Sequence, residues 1–309
     1  MIEKTKIAII GECMVELRRS NGILNQSYGG DTLNTAVYLS RLTHEHNIEV
    51  AYVTGLGQDP FSKEMIEGWR QENINTDLVH IDDTKMPGLY SIETAEDGER
   101  SFFYWRNDSA AKYWLRHLTM KELIAQLSDH QWIYLSGISL AILPQDCLDK
   151  LIEALYVVRK KGCFIAFDNN YRPALWATTA LAQTTYRRIL EITDLAFLTF
   201  DDEMVLWGDT KEQQAIERAQ GLGVNEIVVK RGAEPCFVVS NNEVDAVAAN
   251  HVERVVDTTA AGDSFSAGYL AKRLLNGDNI AAAEAGHTVA GTVIQYSGAI
   301  IDNDVMPSI

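Results

Sequence analysis

The sequence is poor in positive charge, proline and cysteine, and it has no long apolar run. Twenty-seven Lys and Arg face 43 Asp and Glu among 309 residues, for a formal net charge of −16. Such a surface repels polyanions, which argues against nucleic acid or an anionic membrane as a main partner. An anionic small molecule would need a local Arg or Lys set against the field of the whole chain. The four cysteines, Cys13, Cys147, Cys163 and Cys236, are scattered and form no C-x-x-C pair. They read as small core residues in a reducing compartment, so a cytoplasmic protein is expected. The apolar block at 7–10 is too short for a signal sequence, and no stretch approaches membrane-spanning length. Both common phosphate fingerprints are missing. No G-x-x-x-x-G-K-[ST] occurs, and Gly55-Leu56-Gly57-Gln58-Asp59-Pro60 has proline where a dinucleotide motif needs its third glycine. Pro60 reads instead as the start of a helix running to Glu72. His44-Glu45-His46 lacks further ligands nearby and reads as a solvated helix end.

What is present is a chain with enough apolar residues (46%) for a large core and an ordinary share of charge (23%). Residues 6–11 read as a buried first strand, 13–17 as a more exposed one, and 18–28 as loop or lid. Gly29-Gly30-Asp31-Thr32-Leu33-Asn34 opens a helix. It is either a turn capped by Asp31 or Thr32, or a place where paired glycines let a sugar hydroxyl reach the backbone beside Asp31 and Asn34. Strands are expected at 50–54, 132–140, 163–167, 195–200 and 226–230, a long amphipathic helix at 144–161, and a hairpin at 236–240 and 243–248 about Asn241-Asn242. A small-residue helix follows at 279–296. The alternation implies a mainly parallel sheet covered on both faces by right-handed crossovers, in one α/β domain over 1–309.

Residues 88–106 break that rhythm with a hairpin about Glu96-Asp97-Gly98. Its second strand carries Phe102, Phe103, Tyr104 and Trp105 in a row, too apolar to stand alone in solvent. Alternation puts Tyr104 and Arg106 on one face, Phe103 and Trp105 on the other. Arg106 either snorkels over these rings or holds an anion.

Two polar clusters carry the chemistry. Asp168-Asn169-Asn170-Tyr171-Arg172-Pro173 follows a strand, where open α/β sheets bind ligands, and Pro173 holds Arg172 extended. Asp257-Thr258-Thr259-Ala260-Ala261-Gly262-Asp263 leaves backbone amides uncovered at the start of a helix that is apolar at 265, 269, 270 and 274. Bare amides and the helix dipole together make an anion site, with Asp263 at the junction.

The second cluster resembles the D-T-x-G-A-G-D signature of the ribokinase-like (pfkB-type) carbohydrate kinases, with Ala260 in place of the first glycine. Gly29-Gly30 and Asn34-Thr35-Ala36 match that family's N-terminal motif, and Asp168, Asn170 and Arg172 match its D-x-N-x-R. Residues 29–34, 87–90, 104–106, 167–173 and 257–266 are similar more narrowly to the branch acting on 2-keto-3-deoxygluconate. The resemblance implies a ribokinase-like α/β fold with a β lid from about 12–28 and 88–106. It makes Asp263 the catalytic base and the amides of Ala260, Ala261, Gly262 and Asp263 the anion hole. Gly30, Asp31 and Asn34 would hold sugar hydroxyls; Tyr90, Tyr104, Arg106, Asn170 and Arg172 would hold the acid and keto end. A carboxylate explains why two arginines are needed, because the guanidinium fork matches it. Lys230, Arg231, Gly232, Ala233 and Glu234, with Asn170 and Arg172, would line the ATP side, although 230–234 also reads as a plain polar turn. Mg²⁺ would arrive as MgATP, and a monovalent cation is admitted. Glu203 has an indirect metal role in relatives, but Phe200 stands where they carry Asn. Position at a helix N-terminus would hold the Asp263 carboxyl low. The aromatic strand suggests a homo-oligomer joined through the lid. Rival readings are another sugar kinase of the family (fructokinase, ribokinase or nucleoside kinase) and a catalytically silent sugar-acid sensor.

Overall fold

The computed structural model describes residues 4–20, 22–94, 100–241 and 243–309. Among them a ten-stranded sheet runs Glu243–Val247, Cys236–Ser240, Glu226–Lys230, Leu195–Thr199, Phe164–Asp168, Trp132–Ser136, Thr5–Ile10, Ile48–Leu56 and Ile74–Asn75, with Val79–Ile81 beside the end of Ile48–Leu56. Every pairing from Glu226–Lys230 to Ile74–Asn75 is parallel; the last two strands at the opposite edge are antiparallel. The first strand shows why this sheet must be covered twice. Ala8 and Ile10 join one buried cluster, and Ile7 and Ile9 join the other. Period-2 alternation with no polar face leaves no side for water. Strand order reverses beside Thr5–Ile10, which opens a crevice at the carboxyl ends of the strands.

Local signals account for most helix ends. Pro60 opens the helix Pro60–Gln71, with Asp59 Oδ1 accepting from the Ser62 amide at 3.1 Å. Pro144 stands at the N-cap of Gln145–Lys160. Two expectations need correcting. The strand expected over 132–140 ends at Ser136, where a reciprocal Ser136–Ser139 capping box starts the short helix Gly137–Ala141. Residues 18–20 and 23–28 are strand rather than loop: Met14–Ser20 pairs antiparallel with Ile23–Gly29. The latter strand is largely exposed, so it carries no buried face to mark it in the sequence.

These two strands belong to a second sheet ordered Ile23–Gly29, Met14–Ser20, Leu89–Thr94, Arg100–Trp105. The hairpin register sets Tyr90 opposite Tyr104 and Ile92 opposite Phe102. Its expected turn at 96–98 lies outside the described residues, as does Asn242 of the other hairpin. Among the described residues Met14, Tyr90 and Ile92 form the small sheet's own buried cluster, while Val15 joins the large core. Phe102, Phe103, Tyr104 and Trp105 are all exposed, Trp105 at 61%.

All four cysteines are buried and unpaired. Among the described residues no helix is long and apolar enough to cross a membrane.

Candidate active site

Two helix N-termini meet above the crevice. Asp31–Thr43 starts directly after Gly30, and Ala261–Leu274 starts after Ala260, which offers no side-chain cap. The two motifs, 229 positions apart, are joined by Asn34 Nδ2 donating to Asp263 Oδ2 at 2.8 Å, with Thr35 Oγ1 donating to the Asp263 carbonyl at 3.3 Å. Asn34 Oδ1 is buried and has no partner, which leaves an acceptor directed at something outside the protein's own bonds. Asp263 is therefore the third residue of its helix and not its cap.

The position of Asp263 reverses the expected effect on its acidity. Its carboxyl is pushed above the ordinary carboxylate range, chiefly by burial and then by the charge of Asp31. Asp168 adds to this, while the Asn34 amide and Lys230 oppose it. The helix N-terminus is outweighed because enclosure and two neighbouring carboxylates all disfavour the anion. A carboxyl serving as base here would act only when deprotonated, so the acid limb of kcat/KM would then fall nearer neutrality than the usual pH of about 4 for a free aspartate. Asp31→Asn removes the leading charge contribution, and the limb should then move to lower pH. A pH profile of the two proteins checks this; an unmoved limb would mean that Asp31 does not face the titrating group.

The strand ends supply the rest. Asn170 has φ +28, a left-handed conformation that Asn tolerates better than most residues, and its Nδ2 donates to Asp31 Oδ2 at 2.6 Å. Asp168, buried at the end of its strand, accepts from Lys230 Nζ at 2.7 Å and from Ser266 Oγ at 3.0 Å. Its Oδ1 is buried without a partner. Lys230 Nζ lies 3.4 Å from where a Cβ on Gly262 would stand, so a cation lies close to the uncapped helix start. A cavity of about 570 Å³ opens there, lined by Lys230, Arg231, Gly232 and Ala233 on one side and Ala261 and Gly262 on another. Its apolar wall, including Val252, Val255, Phe265 and Ile294, escaped sequence reading because those residues look like ordinary core and loop.

Other expected residues stand elsewhere. Glu234, Asn170 and Arg172 are not part of that lining. Arg231 pairs with Glu212 at 2.6 Å and lies over the Phe237 ring. Arg172 is exposed, extended before Pro173, and 3.4 Å from Asp202. Glu203 is buried and already engaged, accepting from Asn169 Nδ2 at 2.8 Å and Arg218 Nη2 at 2.7 Å. Among the described residues no three His, Cys, Asp or Glu converge on a metal position.

The Gly29-Gly30 pair has a reason of its own. A Cβ on Gly29 would strike the Tyr90 hydroxyl, and one on Gly30 would strike the Glu12 carbonyl. Close packing onto the small sheet and the first loop requires both glycines, whatever binds beside them. On that sheet Tyr90 donates to Glu16, and its ring stacks on Tyr104 at 5.7 Å. Arg106 lies under the Tyr104 ring at 5.9 Å, as the face assignment expected. It is 8% exposed, and Nη2 donates to a second buried residue, Glu12. Arg106 Nε is buried with no partner. Glu12 and Glu16 were not singled out in the sequence; one is a lone acid in a loop and the other a lone acid within a strand, with nothing nearby to mark either.

A family model described as pfkB family carbohydrate kinase matches residues 4–306. A protein of Dickeya dadantii (strain 3937) named 2-dehydro-3-deoxygluconokinase is 51% identical over 306 residues, covering 98% of this chain and 98% of that one. The protein of the same name from Escherichia coli K12 is 49% identical, over 98% and 99% of the two chains. Among solved structures, a Xylella fastidiosa fructokinase with bound ATP superposes with a TM-score of 0.82 at 22% identity, over 99% of this chain and 96% of that one. At that identity the likeness is one of fold. Architecture and relatives together define a carbohydrate kinase of ribokinase-like fold. The chain belongs to the pfkB family.

Proposed function

We propose that the protein transfers the γ-phosphoryl group of ATP to the primary hydroxyl of 2-keto-3-deoxygluconate (2-dehydro-3-deoxygluconate), giving the 6-phosphate and ADP. The observation that carries the choice of substrate is Arg106, a buried arginine with an unpartnered donor at the inner end of the aromatic strand. Glu12 takes Nη2, and the Nε that remains suits a further anionic acceptor such as a carboxylate. The kinases named for this substrate are about half identical to the chain throughout. The fructokinase, ribokinase and nucleoside-kinase readings leave Arg106 paired with Glu12 and give its Nε no acceptor. The silent-sensor reading leaves the Asp263 site without a use.

In this reading ATP lies in the cavity beside Lys230 with its γ-phosphate toward the helix start at Ala260–Asp263, where the Ala261 amide would give up its 3.2 Å bond to the Thr258 carbonyl. Gly30, Asp31 and Asn34 hold sugar hydroxyls, and Asn34 Oδ1 is an available acceptor. Tyr90, Tyr104, Asn170 and Arg172 complete the substrate side with Arg106. The hydroxyl oxygen attacks in line, its proton passes to Asp263, the new O–P bond forms, and the bond to the β-phosphate oxygen breaks as ADP leaves. Catalysis comes from positioning and from the charge of the amides and Lys230. Mg²⁺ would arrive as MgATP, and Glu203 is engaged with Asn169 and Arg218. The raised pKa of Asp263 makes its carboxylate a stronger base than that of a free aspartate.

The whole chain acts as one kinase domain, in which the small sheet is a lid that excludes water from the reacting phosphate. Its exposed aromatic strand fits pairing with a second copy of the chain. The test of the reaction is the product: equimolar ADP and a sugar acid phosphorylated at the terminal carbon. Release of ADP without a phosphorylated acid would overturn the proposal.

A further inference from the structure

Glu12 lies in the loop between Thr5–Ile10 and Met14–Ser20, and it is 2% exposed. A buried carboxylate is costly unless its charge and lone pairs are met. Glu12 meets them at one place: Oε2 accepts from Arg106 Nη2, and Oε1 accepts from Ser109 Oγ at 2.5 Å. Its neighbours are the passages by which the chain moves between the large and small sheets. The first passage is Glu12's own loop. The second is Gly29-Gly30, where a Cβ on Gly30 would strike the Glu12 carbonyl. The third is Gly88, where a Cβ would come 3.0 Å from Glu12 Oε1 and 3.1 Å from the Arg106 Cβ. The fourth runs from Arg106 to Ala110, tied to the third by the Ala110 amide donating to the Met86 carbonyl at 2.8 Å.

We infer that Glu12 is a positioning residue for substrate recognition: it fixes the Arg106 guanidinium at the junction of the two sheets, with Nε left for the carboxylate of a sugar acid. This rests on the reading of Arg106 given under the proposed function. The guanidinium has two faces for bidentate contact, and Glu12 occupies only Nη2. Held this way, the side chain keeps one rotamer before substrate arrives, which lowers the ordering cost of binding. The opposite effect of Glu12 is repulsion of the incoming carboxylate. The two effects have opposite signs, so experiment can separate them.

The test is steady-state kinetics of wild type, Glu12→Gln, Arg106→Ala and the double variant, with 2-keto-3-deoxygluconate and with fructose. Glu12→Gln keeps the size and loses the counter-charge. It should raise KM for the keto acid about tenfold to hundredfold, with KM for ATP and any turnover of fructose unchanged. In the Arg106→Ala background it should add nothing further, because its effect passes through Arg106. Ser109→Ala, a milder change, should raise the same KM to a smaller extent, and it tests the idea if Glu12→Gln does not fold. A lowered KM would show that Glu12 competes with substrate, and additive losses or an equal loss with fructose would show a merely structural residue. Either result overturns the inference. If wild type itself prefers fructose to the keto acid, the proposed function has failed, independently of how Glu12 behaves.

Discussion

Asp263→Asn is expected to lower kcat by about 10³–10⁴-fold while the sugar acid still binds. The substitution preserves the side chain's shape, and its amide oxygen can still accept from Asn34 Nδ2, the bond that joins the two helix starts. What it removes is the group that accepts the hydroxyl proton. The amides of the uncapped helix start and the nearby Lys230 remain, so substrate binding and some transition-state stabilisation should persist. The substitution also removes an ionisable group whose charged form burial, Asp31 and Asp168 all disfavour, so the variant should be no less stable than wild type. Single-turnover phosphoryl transfer together with a direct binding titration checks both halves. Near-normal turnover would remove Asp263 from the role of base.

Arg106→Ala is expected to raise KM for the sugar acid by about 10²-fold, the scale of one or two charge-assisted hydrogen bonds. The loss should fall mainly on KM, since the carboxylate lies at the far end of the substrate from the reacting hydroxyl and its charge does not change during transfer. KM for ATP should hold. The variant also leaves Glu12 buried without its counter-ion, which costs stability on the order of 3–5 kcal/mol. Kinetics should therefore be read below the melting temperature of the variant. An unchanged KM would leave Arg106 as a structural partner of Glu12 alone.

The parts of the site legible in the sequence are those in which chemistry dictates a run of adjacent residues. The run of small residues at 257–263 was visible and does open a helix, although the Thr259 amide donates to Asp257 Oδ1 and the Ala261 amide to the Thr258 carbonyl, so the amides are not all bare. The massed polar residues at 168–172 were visible at a strand end, and of these Asp168 and Asn170 turn toward Lys230 and Asp31. Alternation correctly placed Tyr104 and Arg106 on one face of their strand. Effects that arise only when distant segments meet could not be read. Asp263 was expected to be a weak base from its own helix, yet Asp31 and Asp168, 232 and 95 positions away, help drive its acidity the other way. Glu12 is a lone acid until Arg106, 94 positions later, folds onto it. The glycines at 29 and 30 were visible, but the Tyr90 hydroxyl and Glu12 carbonyl that require them were not. The strand Ile23–Gly29 was missed because pairing without burial leaves no periodicity.

The claim at the centre of this account is that the chain selects a sugar acid over neutral sugars. The most direct measurement is the ratio of kcat/KM for 2-keto-3-deoxygluconate to that for fructose and for ribose, under MgATP saturation at one pH. Loss of a charge-assisted contact to the carboxylate predicts a ratio of at least about 10² in favour of the keto acid. A ratio near one, or a preference for a neutral sugar, would contradict it.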